Sequence, residues 1–482
     1  MRRRLGAALA LAAFLLLLFL PLPGLTPEAH RLAAILGAVV VLWVSEALPL
    51  SATALLGAVL AVVLGVAPAK EVFAPFADPL IFLFLGAFIL ARGIFVHGLD
   101  RRVAYAVLAL PWVGARPTRV LFAIGAASAA ISAWISNTAT TAMMFGIGMA
   151  IIATMRSTAG GEVIDPRFPS ALMLMIAFAA SIGGLATPVG TPPNVIGIGF
   201  MRTLLGEEIP FFQWMLVGTP IVLLLFAFLY LYLRAVAPAG LAELPGSTAL
   251  IRSERDRLGP WSRGERSVAV AFGVTVALWV APGIVALAAG EDSEPYRMLT
   301  RRLPEGVAAL TGALLLFVLP GREGRAITWD EAMRIDWGVV LLYGGGFALG
   351  VLSFETGLAD AIGRGVAGLV PFGGALGLLV GSVLMAVLLS ETTSNTASAN
   401  MVVPVVISIA RAAGVDPLEP ALGATLAASL GFMLPVSTPC NAIVYGSGHV
   451  PLGRMIRWGL ALDLAGMVVI VTVVRLLGAL VR

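Results

Sequence analysis

Two tripeptides and two proline-rich tracts hold most of the residues in this chain that can do chemistry. Ser136-Asn137-Thr138 recurs as Ser394-Asn395-Thr396. Thr187-Pro188-Val189-Gly190-Thr191-Pro192-Pro193-Asn194 is echoed by Leu434-Pro435-Val436-Ser437-Thr438-Pro439-Cys440-Asn441. A Ser-Asn-Thr turn offers two hydroxyls, a carboxamide and freed backbone groups. Hydroxyl and amide N–H groups donate to carboxylate oxygens, while carbonyl, amide and hydroxyl oxygens ligate a small hard cation. Proline removes an N–H donor and clashes with the preceding turn, so each tract should break a helix. A broken helix leaves carbonyls at one half-helix end and N–H groups at the other, suited to cations and anions respectively. Two tips and two breaks related by pseudo-symmetry outline one central anion site flanked by two cation sites. Segments 120–155, 177–200 and 424–448 contain no Lys, Arg or His, and 373–410 has Glu391 as its one charge. Without a fixed arginine as counter-charge, a dianion there needs co-bound cations, which favours cation-coupled symport over simple anion exchange.

The elements that must position these groups follow from composition. The 482 residues are 59% hydrophobic and 12% charged, with a mean hydropathy of +0.98, against about 25% charged residues in soluble domains. The charges fall in short clusters between long apolar runs, which reads as an all-α polytopic membrane protein. Disorder, collagen, a disulfide scaffold and a nucleic-acid binder are excluded. The net charge of +4 describes membrane-facing loops, and the one cysteine, Cys440, cannot form an internal disulfide. Met1-Arg2-Arg3-Arg4 followed by Leu5 to Leu20 resembles a signal peptide, but no A-x-A site follows, so a retained first helix is expected. Apolar segments recur near 30–49, 51–66, 79–96, 120–155, 169–200, 214–236, 267–290, 305–319, 337–354, 373–410, 420–447 and 458–480. With Arg2 to Arg4 inside, the groups around Arg101, Arg156, Arg252–Arg266, Arg322–Arg334 and Arg454 all become cytoplasmic. Arg297, Arg301 and Arg302, a minority of the basic residues, then fall outside with the acidic loops Glu207-Glu208 and Glu291–Glu294. This requires 120–155 and 373–410 to leave from the side they came from. The expectation is about eleven transmembrane helices plus two re-entrant hairpins, N-terminus in and C-terminus out.

The two halves echo one another in order. Leu42-Trp43-Val44 recurs as Leu278-Trp279-Val280, and Ala54-Leu55-Leu56-Gly57-Ala58 as Ala309-Leu310-Thr311-Gly312-Ala313. Asp78 and Gly86-Ala87-Phe88 recur as Asp336 and Gly345-Gly346-Phe347, ahead of the Ser-Asn-Thr and proline tracts. An odd number of spans per copy makes the second copy inverted, a mark of secondary transporters. The expected organisation is a first helix and loop over 1–29, a first repeat over 30–237 with its hairpin near 120–155, a basic linker over 238–266, and a second repeat over 267–482 with its hairpin near 373–410.

These motifs resemble the divalent anion/sodium symporter (DASS) family, the INDY-type dicarboxylate transporters. The likeness covers nearly the whole chain after the first helix, including Trp43-Val44-Ser45-Glu46-Ala47-Leu48-Pro49, both Ser-Asn-Thr turns, Ile335-Asp336-Trp337-Gly338 and Leu434-Pro435-Val436-Ser437-Thr438-Pro439. The resemblance implies substrate carboxylates held by Ser136, Asn137, Thr138, Ser394, Asn395 and Thr396, with Thr191, Thr438 and Pro439 nearby. It implies a first sodium site from Ser132, Ser136, Asn137 and the Gly190 carbonyl. The second would come from Ser390, Thr393, Asn395 and Ser437, partly through backbone carbonyls. It further implies a homodimer with an elevator motion, no organic cofactor, and residence in a lipid bilayer, expected to be a prokaryotic cytoplasmic membrane. Ser390, Thr392, Ser437 and Cys440 depart from the residues common in the family; Thr392 and Ser437 add polarity near the second hairpin.

Blander roles compete for the remaining polar residues. Glu391 reads as a structural acceptor for hairpin N–H groups, and Glu46 and Asp463 as interfacial. His97 reads as a loop partner of Asp100, and Cys440 as a small packing residue. A sodium-coupled symporter of succinate, malate or fumarate is the leading functional expectation. A sodium-independent dicarboxylate, citrate or sulfate exchanger, or a proton-coupled carrier of the same fold, is the alternative. An intramembrane hydrolase using Ser136 or Ser394 lacks a histidine base in either hairpin.

Overall fold

The computed structural model describes residues 2–158, 165–367 and 374–481. These residues form helices joined by turns, with one isolated bridge between Pro320 and Arg325. Helices close their backbone hydrogen bonds internally, which a hydrocarbon environment demands. Among the described residues, eight helices are long and apolar enough to cross a membrane, the first Pro27–Ser45 and the last within Leu452–Val481. Leu50–Val63, Pro117–Ser132, Arg167–Gly183 and Glu305–Val318 are apolar but shorter. The expected N-terminal helix is Arg2–Phe19, packed on Pro27–Ser45.

Helix ends follow local chemistry. Asp78 accepts from the Leu80 N–H (2.8 Å) to start Pro79–His97, and Gly98 closes that helix at φ 74°. Ser262 and Glu265 form a reciprocal capping box at the start of Arg263–Ala289. The proline tracts interrupt helices as their chemistry requires. Arg167–Gly183 stops, a turn-rich stretch follows, and Pro192–Phe200 resumes; Leu418–Ala427 and Pro439–Tyr445 do the same. The runs at 120–155 and 373–410 are each two helices that meet at the Ser-Asn-Thr turns. The pairs are Pro117–Ser132 with Asn137–Thr158, and Gly374–Thr392 with Asn395–Ala412; residue 373 lies outside the described residues.

Small residues let these helices approach closely. A Cβ on Gly86 would lie 2.6 Å from the Ala309 Cβ, and one on Gly345 would lie 2.7 Å from the Ala54 Cβ. The sequence echoes pair Gly86 with Gly345 and Ala54 with Ala309, so the two contacts join echoed positions in exchanged order. Likewise Pro117–Ser132 packs on Arg167–Gly183 as Gly374–Thr392 packs on Leu418–Ala427.

Three ionisable residues sit differently from their sequence reading. His97 Nε2 bonds the Ala326 carbonyl (2.6 Å) across the fold rather than pairing with Asp100. Asp463 is 1% exposed, beside Glu391, rather than interfacial. Gly459 and Gly466 on the same helix rest against Phe432–Met433 and Leu430, which draws that face inward. Glu46 ends Pro27–Ser45 in the left-handed region (φ 49°) and faces the cavity described next.

Candidate functional site

A cavity of about 840 Å³ lies between the two Ser-Asn-Thr turns. All the residues expected to contact substrate line it: Ser136, Asn137, Thr138, Thr191, Ser394, Asn395, Thr396, Thr438 and Pro439. Of the expected cation ligands, Gly190 and Ser437 also line it, while Ser132, Ser390 and Thr393 stand behind the tips. Helices Asn137–Thr158, Pro192–Phe200 and Asn395–Ala412 begin at its wall. Their free first-turn N–H groups favour negative charge there. Ser394 spends its hydroxyl as a cap, accepting from the Ala397 N–H at 3.3 Å.

Behind the first tip is a cluster of oxygens. One terminal atom of the Asn137 amide lies 2.7 Å from Ser132 Oγ and 3.2 Å from both the Gly190 and Ala180 carbonyls. Turned one way, the amide donates to all three. Turned the other, Ser132 donates to Asn137 Oδ1 (2.7 Å) and four oxygens converge, a donor set suited to a hard cation. Gly184 has to be glycine, because a Cβ there would stand 2.6 Å from Asn137 Oδ1.

The second tip repeats this pattern with changes. Ser390 Oγ donates to Asn395 Oδ1 and to the Ala428 carbonyl, both at 2.8 Å, and Asn395 Nδ2 donates to the Ser429 carbonyl at 3.3 Å. The Thr393 hydroxyl turns away to Leu389 O (3.0 Å) and Ser398 Oγ (2.8 Å), which leaves its backbone carbonyl as the available ligand. Ser437 Oγ donates to the Glu391 carboxylate (2.8 Å) and to the Glu391 carbonyl (3.0 Å). Thr392 bonds back to Leu388 and Leu389, so its extra polarity is satisfied within its own helix. Glu391 is a structural acceptor, but for the proline break rather than for its own hairpin. Its carboxylate takes the Met433 N–H at 2.8 Å and the Leu434 N–H at 3.2 Å.

The structure adds four residues to the site. Asn194 Nδ2 donates to the Gly184 and Thr187 carbonyls at 2.9 and 2.8 Å. Asn441 Nδ2 donates to the Gly431 and Leu434 carbonyls at 2.9 and 3.0 Å. Each asparagine thus staples its proline break into a ring with the same geometry. Both ended the echoed tracts in the sequence, and that repetition was the available signal. Arg92, on Pro79–His97, and Arg334, in the connection before Trp337–Glu355, also reach the cavity, joined by Glu46 and Asp336. Arg92 lies over the Phe95 ring, 5.6 Å from its centroid.

A model of the sodium:sulfate symporter transmembrane region matches residues 2–481. The chain is 35% identical over 443 residues to the sodium-dependent dicarboxylate transporter SdcS of Staphylococcus saprophyticus, covering 90% of this chain and 83% of that protein. Against SdcS of a bovine Staphylococcus aureus strain it is 35% identical over 440 residues, 90% of this chain and 82% of that one. In fold it is similar to the Alcanivorax borkumensis YdaH transporter, with a TM-score of 0.56 at 15% identity over 84% of this chain and 85% of that chain. Neisseria gonorrhoeae MtrF, from a class of antimetabolite efflux pumps, gives a TM-score of 0.55 at 14% identity over 98% of this chain and 93% of that chain. Together with the duplicated tips and breaks, the match across nearly every residue makes this chain a member of the sodium:sulfate symporter family, whose proteins are integral membrane transporters rather than enzymes.

Proposed function

We propose that the protein is a secondary active transporter that carries a C4 dicarboxylate such as succinate, malate or fumarate together with sodium. Ser136, Asn137, Thr138, Thr191, Ser394, Asn395, Thr396, Thr438 and Pro439 hold the two carboxylates. One sodium rides with Ser132, Ser136, Asn137 and the Gly190 carbonyl, the other with Ser390, Thr393, Asn395 and Ser437. The observation that carries this reading is the duplicated oxygen cluster at the Asn137 and Asn395 tips, on either side of one cavity. The names of the SdcS relatives support both ions.

The architecture proposed with it is about eleven transmembrane helices and two re-entrant hairpins, in inverted repeats over 30–237 and 267–482 that follow the 1–29 segment and flank the 238–266 linker. The exchanged Gly86–Ala309 and Gly345–Ala54 contacts support the repeat. The chain would sit in a prokaryotic cytoplasmic membrane as a homodimer, N-terminus in and C-terminus out, and would move its site by an elevator motion. Uptake of labelled succinate into proteoliposomes tests the reading. An inward sodium gradient should drive it, and potassium or choline should not.

One observation favours a second reading, a sodium-independent exchanger. The guanidinium groups of Arg92 and Arg334 line the cavity with no side-chain hydrogen bond or ion pair among the described residues, and such charges compensate a dianion without sodium. Uptake that needs internal succinate and ignores sodium would select the exchanger.

A further inference from the structure

Beside the first tip, the cavity wall holds a thiol and several hydroxyls that the proposed substrate and sodium contacts leave mostly unused. Cys440 lies at the start of Pro439–Tyr445, a short helix packed on both Asn137–Thr158 and Arg167–Gly183. This brings its thiol against Thr138 and Thr141 on the first and Ser181 on the second. Cys440, Thr138 and Ser181 line the cavity, and Thr141 stands one turn behind Thr138. Thr141 and Ser181 are 0% and 1% exposed, and neither hydroxyl has a hydrogen-bond partner beyond its contact with the Cys440 thiol. A membrane serine or threonine ordinarily bonds back to its own helix. Ser128 does so to Ile124 (2.8 Å) and Thr425 to Ala421 (2.7 Å). Ser181 does not, and because it lines the cavity against a weakly bonding thiol, its hydroxyl is a donor open to a ligand.

The matching corner of the other copy lacks this polarity. By the sequence echoes, Cys440 corresponds to Pro193, Thr141 to Ala399 and Ser181 to Ala428. Succinate has two identical ends, whereas a substituent beside one carboxylate makes the ends different. A pocket whose two ends carry different polar groups suits the second case.

Resting on the transport reading above, we infer that Cys440 and Ser181, with Thr141 behind the thiol, form a subsite for the 2-hydroxyl of a C4 hydroxydicarboxylate whose neighbouring carboxylate sits on the Ser136–Thr138 turn. A ligand hydroxyl both donates and accepts, so it satisfies two of these side chains at once.

The test is competition of unlabelled malate and succinate against sodium-driven uptake of labelled succinate, read as the ratio of their inhibition constants. A ratio cancels differences in the amount of folded protein. One or two neutral hydrogen bonds predict a malate preference of about threefold to tenfold, falling toward one in Ser181→Ala and in Cys440→Pro, which copies the first repeat. Cys440 is the only cysteine, so its modification by a small thiol reagent gives a reading that needs no variant. Malate should slow modification more than succinate at equal site occupancy. Equal inhibition constants in the native protein, a preference unmoved by Ser181→Ala, or equal protection by the two acids would each overturn the subsite. Sodium-driven uptake of neither acid would overturn the transport reading itself, and the subsite with it.

Discussion

Truncating Asn194 to alanine should weaken sodium binding while the chain stays folded. Its carboxamide is wholly buried and donates to the Gly184 and Thr187 carbonyls at 2.9 and 2.8 Å. Each lost hydrogen bond costs about 1 kcal/mol net, and each carbonyl left buried without a partner about 1–3 kcal/mol. The ring carries Gly190, whose carbonyl lies 3.2 Å from the Asn137 amide, so relaxation of the ring moves a proposed cation ligand. If about 1.4 kcal/mol of the loss falls on that ligand, sodium affinity drops about tenfold. The assay is the initial rate of succinate uptake against sodium concentration at saturating succinate. The half-saturating sodium concentration should rise about tenfold in Asn194→Ala, and comparably in Asn441→Ala, whose bonds to Gly431 and Leu434 match. A half-saturating concentration within about twofold of the native value, in protein with native thermal stability, would refute the idea that these asparagines shape the cation sites.

Three further outcomes follow from the packing. Glu391→Gln should lower thermal stability in detergent and abolish uptake, since an amide keeps one acceptor where the carboxylate takes the Met433 N–H, Leu434 N–H and Ser437 hydroxyl. Asp463→Asn should be tolerated or raise stability, because neither Asp463 oxygen has a partner and an amide can donate to neighbouring Glu391. Gly86→Val should destabilise by about 1–3 kcal/mol through overpacking, because even a Cβ there would stand 2.4 Å from the Ala309 carbonyl carbon; unchanged thermal unfolding would contradict the close helix contact.

The tips and breaks were legible because their signals are local. Polar triplets inside apolar runs and prolines that remove N–H donors act wherever the chain goes, and Ser136 to Thr138 and Ser394 to Thr396 do meet at one cavity. The duties of Asn194 and Asn441 were not legible, since a carboxamide clamps a ring only once the chain has turned back on itself. Arg92 and Arg334 escaped notice for a related reason. Both lie outside the charge-poor segments, and only helix packing brings them to the cavity wall. Asp463 misled because it lies near arginines in sequence. What buries it is a helix face made of Gly459 and Gly466, and nothing in the charge pattern announces that face.

The most direct measurement of the central claim is equilibrium binding of succinate to the purified protein across a sodium titration, by calorimetry in detergent. Cations and anion compensate one another in a shared site, so sodium should tighten succinate binding and succinate should tighten sodium binding by the same factor. The account predicts no detectable succinate binding in choline and tight binding in sodium. Succinate binding in sodium should be strongly weakened in Asn137→Ala and in Asn395→Ala. Succinate affinity that is the same in choline and in sodium would contradict it, and would assign charge compensation to Arg92 and Arg334 instead.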